Sequence, residues 1–285
     1  MTPRVIAALT ATVVFWASSF PGIGAALEGY PPGPLALLRF LVASAMFLLL
    51  ASYRRPAMPS KRDWAPVVLL ALVGIVVYHL ALNTGQLTVS AGAAGTLSNA
   101  SPLFTALWGV LFLNERLKPL GWLGIALGFA GAILIAMGEG GDFRLDPGAF
   151  AVLLAALSWS LYFTAQKRYA QRYGARDLMA WVVWAGTLML LVFLPALLEA
   201  LASAPLEATL AVVYLGVLPT ALAYVTWAYV LSQVPVSFAS GFLYLIPVLA
   251  FLLAWLWRGE VPSWLTLIGG TVALAGIALV SLKGR

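Results

Sequence analysis

The chain contains a second copy of itself in the same order, displaced by 145 residues. Pro102, Glu115, Gly124 and Gly131 recur as Pro247, Glu260, Gly269 and Gly276 with no gap between them. Ala94/Ala239, Leu111/Leu256, Ala130/Ala275 and Leu134/Leu279 hold the same register. Upstream, Trp16 and Phe20 pair with Trp159 and Phe163 at a shift of 143. Two unrelated apolar stretches match in hydrophobicity by chance, but not in a proline, an acid and two glycines held in one register. Each copy holds an odd number of apolar runs of membrane-spanning length, so the two copies cross a bilayer in opposite senses. Inverted repeats of that kind are characteristic of transporters.

The bilayer itself follows from composition. Of 285 residues, 62% are hydrophobic and only 9% charged, and the mean hydropathy is +0.98. A soluble domain of this size has far more polar surface than that. The net charge of +6 suggests nucleic acid until the charges are placed: they fall in short loops, as the positive-inside rule requires. The chain has no cysteine, which removes disulfides, thiolate metal sites and cysteine nucleophiles. The first apolar run, Val5 to Leu27, is too long for a signal-peptide core and is read as a retained helix.

Apolar runs place spans at 4–27, 34–53, 65–86, 90–113 and 119–137 in the first copy. In the second they lie at 148–169, 177–199, 208–231, 236–257 and 263–282,. The expected fold is an all-α integral membrane protein of ten transmembrane helices, two inverted five-helix repeats (1–140 and 141–285) around a central cavity. With the N-terminus in the cytoplasm, thirteen of the sixteen Lys and Arg residues fall on the inner side. Arg144 and Arg258 fall outside, Arg39 lies within the second span, and most acids are outside. Both termini are therefore expected in the cytoplasm of a bacterial cell, the protein being multi-pass in its inner membrane.

Particular residues carry a family resemblance. Ala91-Gly-Ala-Ala-Gly-Thr-Leu-Ser-Asn-Ala-Ser-Pro102, followed by Glu115-Arg116-Leu117 and a glycine-rich helix, resembles the EamA domain of the drug/metabolite transporter superfamily. Phe15-Trp16-Ala-Ser-Ser-Phe20 and Pro34-Leu-Ala-Leu-Leu-Arg39-Phe40 fit the same pattern. Ser237-Phe-Ala-Ser-Gly241, Pro247 and Glu260 repeat it. In size and aromatic content the chain looks most like bacterial amino-acid exporters of the YddG type. The resemblance implies a transporter of small molecules. It departs in the first span, where many such domains carry a lysine and this chain reads Pro21-Gly-Ile-Gly24.

Polar residues inside the spans are the candidate site. Arg39 is the basic residue that enters the membrane without flanking a loop, and it either snorkels as an anchor or lines an entrance or gate. His79, the single histidine, shares a helix face with Asn83 and Gln86,. That stripe either bonds neighbouring helices or lines the substrate path. Ser98, Ser101 and Thr105 repeat the pattern beside Asn99 and Pro102. Pro102 and Pro247, the latter beside Tyr244, are expected to break their helices in mid-membrane at matching places. Trp159, Tyr162, Phe163 and Gln166 share one face, Tyr224, Trp227 and Thr220 another, Trp16 and Ser19 a third, and Tyr78 adjoins His79. Mid-helix aromatics with a few polar handles suit a small amphipathic ligand. Gly121, Gly124, Gly128 and Gly131 read as a close-packing stripe, either bracing the two halves or forming a dimer surface.

These residues favour some functions over others. An enzyme needs a nucleophile and base, a carboxylate pair or metal ligands. One histidine, no cysteine and no acid in mid-helix leave little to build one from, and no metal or cofactor is expected. Phosphorylated solutes call for several basic groups in the cavity. The expectation is therefore export of small neutral or zwitterionic metabolites, above all aromatic and other apolar amino acids, by alternating access with weak or no proton coupling. Drugs or purines are the alternative cargo. The expected partners are a small-molecule substrate and the lipid bilayer, not nucleic acid, with the chain a monomer or homodimer.

Overall fold

The computed structural model describes residues 2–113, 118–139, 146–233 and 242–283. Every regular element among them is helical. We number the helices α1 (Pro3–Leu27), α2 (Pro32–Tyr53), α3 (Lys61–Gly85), α4 (Ala91–Ser98), α5 (Ser101–Leu113) and α6 (Pro119–Glu139). There follow α7 (Pro147–Tyr173), α8 (Arg176–Ser203), α9 (Leu206–Leu215 continuing to Ala223–Gln233), α10 (Leu245–Arg258) and α11 (Trp264–Lys283). Seven helices among the described residues are long and apolar enough to cross a membrane, α1, α2, α3, α6, α7, α8 and α9. A chain with this many apolar helices satisfies its backbone polar groups within each helix, as a bilayer demands.

Two sequence expectations need correction. The run 90–113 is not one kinked helix: α4 ends at Ser98, Asn99 and Ala100 form a turn, and α5 starts at Ser101. Pro102 thus stands in the first turn of a half-helix, where its missing N–H has no partner to lose. Pro247 likewise sits in the first turn of α10, after a 3-10 turn Phe242–Tyr244. The motifs Glu115-Arg116-Leu117 and Ser237–Gly241 lie outside the described residues.

α3 and α9 are also irregular, each widening into a π-helical turn, Leu72–Val77 in one and Gly216–Leu222 in the other. The two turns coincide at the 145-residue shift. Each strands a carbonyl that a side chain then satisfies. Ser158 Oγ of α7 donates to Val73 O at 2.7 Å, and Thr220 Oγ1 donates to Leu215 O at 2.8 Å.

The same helix pairings recur in the two halves of the chain. α1 packs on α9 and α7 on α3; α2 packs on the π turn of α9 and α8 on α3; α1 packs on α10 and α7 on α5. The longest contact joins α6 to α11 along the glycine stripes. A Cβ on Gly131 would lie 2.4 Å from Ala273 N, and one on Gly276 the same distance from Gly128 N. The stripe is therefore consumed inside the chain, backbone against backbone.

Candidate functional site

α1, α2, α3, α7 and α9 bring part of the predicted set together. Arg39 on α2 is 5% exposed, and its Nε donates to Thr220 Oγ1 at 2.7 Å. The guanidinium does not snorkel. No carboxylate pairs with it among the described residues, where the ion pairs lie at the two ends of the bundle. Its charge acts instead on Tyr78, His79 and Tyr224.

Two groups of aromatic rings lie near Arg39, one around Tyr78 and one around Tyr224. Tyr78 and Trp159 stand 4.8 Å apart, Trp159 and Phe163 6.0 Å, and His79 meets Phe40 edge-on at 4.6 Å. Across from them Trp16 meets Trp227 at 5.4 Å and Tyr224 at 6.3 Å. Tyr78 and Tyr224 lie deep in the bundle yet keep part of their surface uncovered. Trp16, Trp159 and Phe163 are half-buried as well.

Other predicted residues have structural partners. Tyr162 lies on Gly74, where a Cβ would fall 2.3 Å from its ring, and its hydroxyl donates to Met179 Sδ at 2.9 Å. Ser19 Oγ donates to Trp16 O within α1, and Asn99 Nδ2 reaches back from the turn to Gly95 O of α4. Ser101 lends its carbonyl to Thr105 Oγ1. Ser98 Oγ is buried without a partner, and Gln166 is half-buried on α7. The side chain of Tyr244 lies outside what the structure describes.

The polar stripe of α3 divides by depth. His79 Nδ1 lies 3.0 Å from Ile75 O at the centre. Asn83 Nδ2 donates to Pro32 O at 3.1 Å, bonding α3 to the start of α2. Gln86 stands in the turn that follows.

That turn is the hub of an acid-rich mouth. Glu139 accepts from Ser90 N and Thr266 Oγ1, Glu260 from Ala91 N, and Asp146 from Thr88 Oγ1. Two of these carboxylates satisfy the free N–H groups where α4 begins, at the positive end of its dipole. Arg258 crosses the mouth from α10, with Nε at 2.7 Å from Glu260 and Nη1 at 2.8 Å from Glu28. Partial burial by itself lowers its pKa; hydrogen bonds to Glu260 and Glu28 outweigh that and hold it above the ordinary arginine value. A Cβ on Gly24 would fall 2.9 Å from Arg258 Nε. The space a helix-1 side chain would fill thus holds a guanidinium delivered from α10. A cavity of about 610 Å³ opens beside it, bordered by Glu28, Glu207, Tyr214, Trp257 and Arg258. Sequence reasoning missed this mouth, because its acids meet partners from distant segments, 49 residues apart for Ser90 and Glu139 and 169 for Ala91 and Glu260.

At the opposite end Asp63 accepts from Ser60, Tyr173 and Arg172. Asp177 accepts from Ala57 N and pairs with Arg176, tying the loop after α2 to the junction of α7 and α8.

Comparison with known proteins matches this chain to the EamA-like transporter family over residues 3–137 and again over 146–282. It is 42% identical to "Uncharacterized transporter YdfC" of Bacillus subtilis (strain 168), over 99% of this chain and 92% of that one. It is 37% identical to the "Probable terminal-alkyne amino-acid exporter" of Streptantibioticus cattleyicolor, over 98% and 94% of the two chains. A solved crystal structure aligns over 100% of this chain and 99% of its own, with a TM-score of 0.65 at 23% identity, a likeness of fold alone.

Proposed function

The chain belongs to the EamA-like transporter family, and from that premise we propose that it exports small neutral or zwitterionic metabolites, chiefly amino acids with aromatic or other apolar side chains. It is a multi-pass membrane transporter. The rest is our reading. Ten crossings form two inverted repeats, 1–140 and 141–285, with a central cavity at their junction and both termini in the cytoplasm. Two successive family matches and helix pairings that recur in the two halves support it. The helical spans suit the inner rather than the outer bacterial membrane, since outer-membrane proteins of that kind are β-barrels.

The observation that carries the substrate class is Arg39. A buried guanidinium with no carboxylate partner among the described residues is costly in a low-dielectric interior. A substrate carboxylate arriving between the two aromatic sets offsets that cost, and the uncovered ring surfaces of Tyr78 and Tyr224 border the space it enters. One cation among half-buried rings fits a single carboxylate on an apolar body, and gives a polyphosphate too few partners. The exporter relative acts on an amino acid by name, which agrees. In this reading Trp16, Tyr78, His79, Trp159, Phe163, Tyr224 and Trp227 line the path, and the offset half-helices at Pro102 and Pro247 bound it. The family and its relatives are transporters, and we read no catalysis into the site.

Export assays decide the cargo. Cells overproducing the protein are challenged with phenylalanine, threonine, methionine and a lipophilic cation. Raised tolerance to the amino acids is expected. Tolerance to the cation alone moves the protein to drug export, and unchanged tolerance to every amino acid removes the reading.

A further inference from the structure

Gln86 closes the polar stripe of α3 at the acid-rich mouth. It is only 8% exposed, and neither its amide nitrogen nor its amide oxygen meets a hydrogen-bond partner in the protein. Leaving both halves of a buried amide unpaired is unfavourable, and native structures rarely tolerate it without a reason. Gln86 borders a cavity of about 220 Å³ together with Gly24, Glu28, Ala91, Arg258 and Glu260. At roughly 30 Å³ per water, that volume admits the head group of an amino acid.

The charges around it are unequal in strength. Glu260 is tied twice, to Arg258 Nε and to Ala91 N. Glu28 is tied once among these groups, to Arg258 Nη1, and its side chain is 62% exposed. An ion pair so open to water contributes little, about 0–1 kcal/mol, so a competing zwitterion displaces it readily. The Glu260 contact keeps the guanidinium in place while its Nη1 arm is released.

We propose that this cavity is a second substrate subsite, taking the α-ammonium and α-carboxylate of an amino acid at the mouth of the transport path. The Gln86 amide, itself covered, turns toward the ligand: the carboxylate takes Arg258 Nη1 and the Gln86 amide N–H, and the ammonium takes Glu28 and the Gln86 amide oxygen. One internal ion pair is exchanged for two intermolecular ones, net charge is unchanged, and both orphan atoms of Gln86 are satisfied. The subsite rests on the amino-acid reading above but uses none of the central residues, so the two are separable.

The absence of cysteine gives a direct test. Leu87 is 56% exposed and lines the same cavity, so Leu87→Cys reports its occupancy through labelling by a charged methanethiosulfonate reagent in proteoliposomes. L-phenylalanine is expected to slow labelling, whereas N-acetyl-L-phenylalanine and phenethylamine, each lacking one charge, are not. Adding Gln86→Leu weakens the protecting affinity about a hundredfold, the scale of two lost hydrogen bonds to charged groups. Glu28→Gln weakens it as well, at an exposed position that folding does not need. Arg39→Gln, at the centre, leaves protection intact. Protection that survives both Gln86→Leu and Glu28→Gln, or that disappears with Arg39→Gln, reports the central site and overturns the subsite. Absent protection in protein that still transports L-phenylalanine overturns it too, and leaves the amino-acid reading standing. Absent protection together with absent flux of every amino acid removes both.

Discussion

Arg39 separates stability from function at a single position. Removing a buried charge that lacks a carboxylate partner relieves a desolvation cost, and apolar replacements of such groups are often neutral or stabilising. Arg39→Met is therefore expected to fold with an unchanged or higher melting temperature in detergent. Its amino-acid flux should fall about tenfold or more, since the lost contact is charge-assisted. Lower stability with intact flux would make Arg39 a structural brace bonded to Thr220. Ser158 is the contrasting case. Its hydroxyl satisfies the Val73 carbonyl stranded by the π turn, and Ser158→Ala leaves that carbonyl unpaired. A loss of about 1 kcal/mol in reversible unfolding is expected, with flux per folded molecule retained. The sequence marked His79, Asn83 and Gln86 as one stripe, but their partners divide them into a central ring, an interhelical bond and an unpaired amide at the mouth. Spacing reports a shared face and says nothing about what stands opposite it.

At the scale of elements, local chemistry located the prolines and glycines, and packing decided what they do. Pro102 lies in the first turn of α5 rather than in a continuous helix, so Pro102→Ala removes no kink and should change stability by less than about 1 kcal/mol. Thermal unfolding of the purified variant checks this; collapse would mean the ring itself holds the break at Asn99 and Ala100. The glycine stripes behave differently. A side chain at Gly131 meets the backbone of α11, atoms that cannot rotate away. Gly131→Val should abolish monodisperse protein in detergent. Gly270→Ala serves as the control, since its Cβ would find its nearest neighbour at an ordinary 3.7 Å. The sequence reading did not place the two π turns. The first depends on the Ser158 hydroxyl and the Tyr162 ring, both brought by α7, whereas the second carries Pro219 and the satisfying Thr220 within itself,.

The whole molecule adds orientation and coupling. Met58, 70% exposed after α2, and Val261, 79% exposed after α10, lie at opposite ends of the bundle if the repeats are inverted. Met58→Cys should label only from the cytoplasmic face and Val261→Cys only from outside, in intact cells against inside-out vesicles; labelling from one side alone would defeat the inverted arrangement. Among the described residues no carboxylate stands beside Arg39 and His79, so an imposed pH gradient should leave liposome flux within about twofold of its ungraded value, proton carriers in membranes being acids or histidines by default. Strong acceleration that persists in His79→Ala would overturn both uncoupled transport and coupling through the histidine.

Hydrophobic runs, their length and the loop charges are local properties, and they determined by themselves that this chain is helical, crosses a membrane many times and carries one pattern twice. The same quantities nominated nearly every interior polar and aromatic residue. Only the tertiary structure decided which of them meet. Arg39 finds Thr220 across 181 residues, and Arg258 reaches Glu28 across 230 to fill the space that Gly24 leaves. In a bilayer apolar side chains gain little by facing one another rather than lipid, so it is close fit and scarce polar contacts that select the partners. Those depend on distances between helices, which a sequence period does not contain.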